Sequence, residues 1–301
     1  MKIKKLLAFL LCFTLVPLNV PLPVARADDS DIFGANIEPN IMIFVDTSGS
    51  MADQIPASPY DSATTYTGSK TVTTVYKKGS SGYSFYKTTV AEVGSASAIT
   101  ALNSVGYWSG KIGGSKISLY TGNYLNYVTS PMGAQVAKMT IAKRVIGNVI
   151  NNTEGVRFGL SRFAGNGSMG SGGASVVAAM GSTTSALITA LNALPTSGYT
   201  PLGESLRDLG DYFKGTMSGQ TSPIQYDCQP NYVILMSDGL QNGSIDVRDQ
   251  ATLRRTQDHA TWDGMPGTQS VLVHTVGFAV AAGEKDAANA ILQQAATNGG
   301  G

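Results

Sequence analysis

The stretch that decides the fold is residues 40–51, which read NIMIFVDTSGSM. Five consecutive apolar side chains, at residues 41–45, give it the length of a strand without any polar alternation. A strand of this kind is typical of the middle of a parallel sheet that helices cover on both faces. The residues that follow it place a carboxylate and two serine hydroxyls where the strand ends.

Apolar runs and helical patterns alternate along the rest of the chain. Further candidate strands lie at residues 156–163, 175–180, 232–236 and 271–278. Candidate helices lie at residues 136–150, 185–194, 201–213 and 285–296. Strands that alternate with helices predict an α/β fold with a doubly wound, mostly parallel sheet flanked by helices.

Residues 52–133 interrupt this alternation. They contain nine of the 13 tyrosines of the chain among many Ser, Thr and Gly residues. Short alternating pieces at residues 71–76 and 83–90 predict hairpins, so we expect a β-rich insertion directly after the first strand. Because the insertion leaves the chain beside the DTSGS motif, we expect it at the same edge of the sheet. Its tyrosines either contact a ligand or fill its own core.

The composition limits the classes of function. The 301 residues carry a formal net charge of +1, which offers no positive field for nucleic acid. No internal apolar run reaches the roughly 18 residues that a membrane-spanning helix needs. We therefore expect no nucleic-acid partner and no transmembrane segment in the mature chain.

The first 27 residues have the pattern of an export signal. Lysines within the first five residues precede an apolar run at 6–16 and the sequence Ala25-Arg26-Ala27. A membrane anchor is the alternative, but the run is short and prolines follow it. Cleavage after Ala27 leaves residues 28–39 as a lead-in and Cys228 as the one cysteine. That cysteine is either buried or paired with a cysteine outside this stretch.

Hydroxyl and carboxylate side chains follow the candidate strands and precede one helix. Asp46, Ser48 and Ser50 come after the first strand, Asp238 follows the strand at 232–236, and Thr200 precedes the helix at 201–213. Because ligands bind where the strands of such sheets end, these five residues are the candidate metal ligands. Hard oxygen donors select Mg²⁺ first, with Ca²⁺ or Mn²⁺ as alternatives, rather than zinc.

The chemistry of this donor set favours binding over hydrolysis. If neutral hydroxyls hold the metal directly and the aspartates act mainly through water, the ion keeps much of its positive charge. It can then accept an acidic group of a partner in an open position.

The pattern Asp-x-Ser-x-Ser, a distant Thr and a distant Asp-Gly resembles the metal-ion-dependent adhesion site of von Willebrand factor type A domains. Four further segments resemble the amino-terminal part of the PilC/PilY family of type IV pilus tip-associated adhesins. They are residues 122–127 (GNYLNY), 156–160 (VRFGL), 198–206 (GYTPLGESL) and 228–234 (CQPNYVI).

The resemblance implies a type A domain over residues 40–301, interrupted by the insertion 52–133. It also implies an exported protein that crosses the periplasm to the cell surface, the pilus tip or the outer membrane. Members of that family continue into a large β-propeller with its own calcium site. The type A fold ends with a further strand and helix, so we expect this sheet to lack its last strand and the chain to be a fragment.

Three functions fit these observations. The first is a binding domain, not an enzyme, that holds an acidic group of a protein or host-surface ligand through the metal, with Tyr124, Tyr127 and Tyr199 contributing to specificity. The second is a component that assembles or stabilises type IV pili and uses a structural metal. The third and most remote is a metal-dependent phosphohydrolase. Against it, Ser48 stands where a second carboxylate is usual, and neither a general base nor a phosphate-binding cation is evident.

Overall fold

The computed structural model describes residues 37–165, 172–260 and 264–301. The predicted export signal and most of the lead-in lie outside the described residues. The strands are β1 (Asn40–Val45), β2 (Gln54–Pro56), β3 (Val75–Gly79), β4 (Gly82–Lys87), β5 (Tyr107–Ile112), β6 (Ser115–Thr121), β7 (Gln135–Ala137), β8 (Arg157–Phe163), β9 (Ala174–Ala178), β10 (Asn231–Ser237) and β11 (Leu272–Gly277). The helices are α1 (Ala96–Val105), α2 (Gly122–Thr129), α3 (Lys138–Asn152), α4 (Thr184–Asn192), α5 (Leu202–Lys214), α6 (Val247–Thr256) and α7 (Lys285–Gly299).

The central sheet has five strands in the order β11-β10-β1-β8-β9. All neighbours are parallel except β8 and β9, which are antiparallel. β1 lies in the middle, with the bounds expected from its apolar run. The predicted α/β class with a mostly parallel sheet is confirmed.

Alternate side chains of β1 point into two separate cores. Met42 and Phe44 pack on one face with residues of α5, α6 and α7. Ile43 and Val45 pack on the other face with residues of α3 and α4. Because successive side chains of a strand point to opposite faces, one apolar run supplies both layers. The helices thus cover the sheet on both sides and leave the ends of its strands accessible to loops.

The insertion has its own antiparallel sheet, in the order β4-β3-β6-β5, and its own small core. It also contains the helices α1 and α2, which alternating patterns do not reveal. The strand expected at residues 71–76 begins only at Val75. The reason is a turn in which the Thr74 N–H donates to the Thr71 carbonyl at 3.1 Å.

The GNYLNY segment forms α2, and its two asparagines hold the preceding loop. Asn123 accepts from the Tyr66 N–H at 2.9 Å and donates to the Thr64 carbonyl at 2.8 Å. The side chain of Asn126 accepts from the Lys70 N–H at 2.9 Å and donates to the Lys70 carbonyl at 2.9 Å. This segment is therefore a structural element of the insertion.

Other boundaries differ from the sequence-based expectation for physical reasons. The helix expected from residue 136 begins at Lys138, because Gln135–Ala137 pairs with Gln54–Pro56 as a two-stranded ribbon. Helix α6 was not expected, since its sequence, VRDQATLRRT, carries few apolar residues. Its start is marked by Asp246, whose side chain accepts from the Arg248 N–H at 2.8 Å.

The open side of β11 carries little pairing. Val273 forms one isolated parallel bridge with Gly300, and β10 pairs on the other side. Cys228 is exposed and unpaired among the described residues, which excludes the buried alternative. Within the described part of the chain, no helix combines the length and the apolar character needed to cross a membrane.

We predict that Gly122→Ala destabilises the insertion by about 2 kcal/mol or more. A Cβ at this position would lie 1.9 Å from the Thr71 carbonyl oxygen, which is backbone and cannot easily move. Gly94→Ala is the matched control, because a Cβ there meets no atom within 4 Å. Chemical denaturation measures both variants, and equal stabilities would contradict the prediction.

A second prediction concerns acid stability. Burial, reinforced by the charge of Arg254, lowers the pKa of His259 from 6.5 to about 4. Below pH 6.5 the unfolded chain binds a proton that the folded chain excludes, so stability falls as the pH drops from 6.5 towards 4.

We expect His259→Gln to remove about 2 kcal/mol of the loss in unfolding free energy between pH 7 and pH 5. His274→Gln, at an exposed position of β11, serves as the control. An unchanged pH dependence in His259→Gln would show that this imidazole does not control acid stability.

Candidate metal centre

Two neighbouring strands end together at the centre of the sheet. Val45 and Met236 are register partners at the ends of β1 and β10. The Asp46 N–H donates to the Met236 carbonyl at 3.0 Å, and Asp238 follows directly after β10. The two aspartates therefore meet at one edge although 192 positions separate them in the sequence.

Four of the five candidate ligands form one chain of close contacts between oxygens. Asp46 Oδ1 accepts from the Ser48 N–H at 2.8 Å and from the Ser48 hydroxyl at 2.5 Å. The Ser50 hydroxyl donates to Asp238 Oδ1 at 2.8 Å. The oxygens of Ser48 and Ser50 lie 3.0 Å apart. This chain, Asp46–Ser48–Ser50–Asp238, is called the hydroxyl chain below.

The protons of the hydroxyl chain are already used. A serine hydroxyl has one proton and two lone pairs. Ser48 gives its proton to Asp46 and Ser50 gives its proton to Asp238, so no proton remains for the 3.0 Å contact between the two oxygens. Two lone-pair oxygens thus lie side by side between two carboxylates. A cation would relieve the repulsion between them.

Thr200 lies next to this chain in a loop that backbone bonds hold in place. The Gly49 N–H donates to the Gly198 carbonyl at 3.1 Å, and the Ser197 N–H donates to the Thr47 carbonyl at 2.8 Å. Thr200 itself is buried, and its N–H donates to the Asn242 side chain at 2.7 Å. Its hydroxyl makes no hydrogen bond to any described residue, so the oxygen is available to bind a metal ion.

A buried glutamate fixes the loop that follows Asp238. Glu204 Oε1 accepts from the backbone of Ser244 at 2.6 Å and of Ile245 at 3.1 Å. Burial raises the pKa of Glu204, but these backbone hydrogen bonds outweigh it and hold the pKa below its ordinary value. The carboxylate thus stays ionised and ties α5 to the Asp238 loop.

Sequence reasoning missed two residues of the site, Ser237 and Lys138. The Ser237 hydroxyl donates to Asp46 Oδ2 at 2.6 Å, so both oxygens of Asp46 accept hydrogen bonds. Lys138, the first residue of α3, places Nζ 2.8 Å from Asp238 Oδ2. Ser237 could have been found as the residue just before Asp238 at the end of a strand. Lys138 lies 100 positions from Asp238 and no motif marks it.

Burial makes the charge of Asp46 costly. Asp46 has no exposed surface. Burial raises its pKa, the hydrogen bonds from Ser237 and Ser48 lower it, the charge of Asp238 raises it, and the net direction is upward. A carboxylate in this condition is stabilised by a nearby positive charge.

The donor set fits a small, hard divalent cation. Octahedral Mg²⁺ with oxygens at about 2.1 Å requires adjacent oxygens about 3 Å apart, whereas Ca²⁺ requires about 3.4 Å. The Ser48 and Ser50 oxygens lie 3.0 Å apart, which matches the spacing for Mg²⁺. The 2.8 Å between Ser50 and Asp238 is that of an ordinary hydrogen bond and does not distinguish the two ions. The described residues contain no group of three His, Cys, Asp or Glu side chains that could hold a metal, so any ion here would depend on hydroxyls.

The three tyrosines expected to set specificity lie in two places. Tyr199 is 44% exposed on the loop that carries Thr200. Tyr124 and Tyr127 line a cleft of about 610 Å³ between the insertion and α3. None of the five candidate ligands lines this cleft. It begins beside the site, since the N–H of Phe278, another lining residue, donates to the Ser237 carbonyl at 2.8 Å.

Tyr127 has a structural role as well. It is 3% exposed, and its hydroxyl donates to the Ser58 carbonyl at 2.6 Å. Tyr124 is half-buried and contacts four other tyrosine rings of the insertion. Burial raises the pKa of both tyrosines. The aromatic rings in contact along this surface are Tyr60, Tyr66, Tyr83, Tyr107, Tyr120, Tyr124 and Tyr127.

No family model and no curated protein matches the chain. Solved structures that it resembles include the conserved hypothetical protein BatB from Bacteroides thetaiotaomicron, at 12% identity and a TM-score of 0.41, over 87% of this chain and 86% of that one.

Two other matches are described as type A or metal-site proteins. A von Willebrand factor type A protein from Catenulispora acidiphila matches at 14% identity and a TM-score of 0.37, over 87% of this chain and 41% of that one. Proximal thread matrix protein 1 from the mussel byssus, with a zinc-occupied MIDAS motif, matches at 16% identity and a TM-score of 0.33, over 52% and 34%. The α/β class itself stands on the strand pairing.

We predict that Asp46→Asn abolishes the stabilisation of the fold by Mg²⁺. A metal at 100 times its dissociation constant adds about 2.7 kcal/mol to the unfolding free energy of a protein that binds it. The variant keeps the shape of the side chain but removes one of the two carboxylates of the hydroxyl chain. Without metal it should unfold no earlier than the parent, because a desolvated charge has been removed.

Asp227→Asn is the matched control. It removes the same charge from an exposed residue just before β10, at the opposite end of that strand from Asp238. Thermal unfolding with Mg²⁺ and with EDTA measures the effect. Undiminished Mg²⁺ stabilisation of Asp46→Asn would remove Asp46 from the site.

Proposed function

We propose that this chain is an exported binding domain that captures an acidic group of a partner through a divalent cation. Asp46, Ser48, Ser50, Thr200 and Asp238 hold the ion, with Mg²⁺ preferred. The observation that carries the proposal is the hydroxyl chain, in which two serine oxygens 3.0 Å apart have given both protons to aspartates.

The same geometry supports binding rather than hydrolysis. Asp46 is fully buried and both of its oxygens accept hydrogen bonds, so it is not available as a nucleophile or a general base. Lys138 supplies a cation that the sequence did not lead us to expect, but it is buried and paired with Asp238. Neutral hydroxyls leave much of the positive charge of the ion uncompensated, and the carboxylate of an acidic ligand would neutralise it.

Adhesion is favoured over a purely structural role for the metal. The loops that carry the candidate ligands are already joined by protein hydrogen bonds, such as those of Thr200 to Asn242 and of Gly49 to Gly198. Glu204 anchors the Asp238 loop in the same way. Because these bonds hold the loops without an ion, a bound ion is not needed for the fold and can bind a partner.

The resemblance to PilC/PilY adhesins supports a place at the bacterial cell surface, on or near a type IV pilus. The partner is a protein or host-surface ligand with an exposed carboxylate. Tyr199 lies on the loop that carries Thr200, and the tyrosine cleft begins beside Ser237, so both are candidates to contact such a ligand. Rigid aromatic rings of this kind provide contact area at low entropic cost.

A strain that carries Asp46→Asn tests this proposal. We expect normal numbers of pili but loss of attachment to host surfaces, and EDTA should reduce attachment of the parent strain to the same level. A strain with Asp227→Asn controls for the lost charge. Loss of pili together with attachment would instead favour the structural role, and normal attachment would refute the adhesive one.

A further inference from the structure

We propose that Lys138 competes with the divalent cation and thereby couples metal binding to binding of the acidic ligand. This inference rests on the proposed function, because it concerns the same site. Without an acidic ligand the site would bind its metal weakly. With the ligand, metal and ligand would strengthen each other.

The geometry places a cation at the site before any metal arrives. Lys138 Nζ lies 2.8 Å from Asp238 Oδ2, and the side chains are 5% and 0% exposed. The other oxygen of Asp238 accepts from Ser50 and belongs to the hydroxyl chain. A metal on that chain would share the carboxylate of Asp238 with the ammonium group. Each cation weakens the hold of the carboxylate on the other.

Lys138 has little freedom to move away. It is the first residue of α3, and its N–H donates to the Asp53 carbonyl at 3.0 Å. Its Nζ also lies 3.6 Å from the side chain of Asp53, which is 67% exposed and therefore well hydrated. The backbone bond thus fixes the start of the helix, and the buried ammonium group lies between the carboxylates of Asp238 and Asp53.

The charges at the centre explain why an acidic ligand matters. The buried groups Asp46, Asp238 and Lys138 together carry one net negative charge, and a divalent ion changes this to one net positive charge. Asp53 lies outside this buried set, because its side chain is 67% exposed and water screens its charge. A single carboxylate from a partner restores neutrality. Since coupling between two ligands is reciprocal, the carboxylate raises metal affinity by the same factor as the metal raises carboxylate affinity.

Lys143 provides a matched control on the same helix. Its Nζ donates to the carbonyls of Asn192 and Leu194, both at 2.8 Å. Its partners are neutral backbone carbonyls, at the last residue of α4 and just after it. Replacing it removes the same charge from α3 without touching Asp238.

The test is calorimetric titration of Mg²⁺ into the parent, Lys138→Gln, Lys138→Arg and Lys143→Gln, each with sodium acetate or with sodium chloride at equal ionic strength. We expect Lys138→Gln to bind Mg²⁺ at least tenfold more tightly in chloride. Acetate should raise the affinity of the parent several-fold and that of Lys138→Gln much less. Lys138→Arg and Lys143→Gln should behave like the parent.

Other results would overturn the inference. Unchanged or weaker Mg²⁺ binding by Lys138→Gln would show that Lys138 positions Asp238 and does not compete with the ion. Circular dichroism in EDTA checks that each variant is folded. If Lys138→Gln does not fold, the parent alone decides: a Mg²⁺ affinity that is the same in acetate and in chloride would refute the coupling. Binding by the parent that Asp46→Asn abolishes would leave the proposed function standing. A parent that takes up no Mg²⁺ would refute both.

Discussion

The candidate metal site depends on two hydrogen bonds, in which serine hydroxyls donate their only protons to aspartates. Ser48 and Ser50 each donate to a buried aspartate, and their oxygens are left in contact without a proton between them. This requires β1 and β10 to end side by side, which their parallel pairing achieves. The sheet, its two cores and the loop bonds around Thr200 all serve to hold this small group of oxygens in place. A divalent cation is the simplest group that would bind these oxygens and relieve their mutual repulsion.

Much of the central fold could be predicted because its signals are local. The bounds of β1 follow from an uninterrupted apolar run, and β8, β10 and β11 lie within one residue of the expected strands. The ends of α3 and the strands of the insertion were harder. They depend on pairing between distant segments. For example, Gln54–Pro56 pairs with Gln135–Ala137, so α3 begins only at Lys138. Helix α6 contributes only Val247 and Ala251 to the apolar core, too few for a helical pattern, so its cap at Asp246 is the clearest local sign of it.

The candidate ligands follow a recognisable pattern, but the rest of the site does not. Ser237 and Lys138 contribute through single contacts with Asp46 and Asp238, at sequence separations of 191 and 100 residues. No periodicity or spacing encodes such contacts. The asparagines of α2 show the opposite case. Their segment is conspicuous in the sequence, yet the structure uses Asn123 and Asn126 to hold a loop of the insertion.

Binding of an ion between Ser48 and Ser50 is the central claim, and a crystal soaked in Mn²⁺ tests it most directly. Anomalous scattering locates this ion without reference to its surroundings. The account predicts one strong peak within about 2.5 Å of both serine oxygens, close to Asp238, with the ammonium group of Lys138 on the far side of that carboxylate. A peak elsewhere, or none at a concentration that saturates other manganese sites, would contradict it.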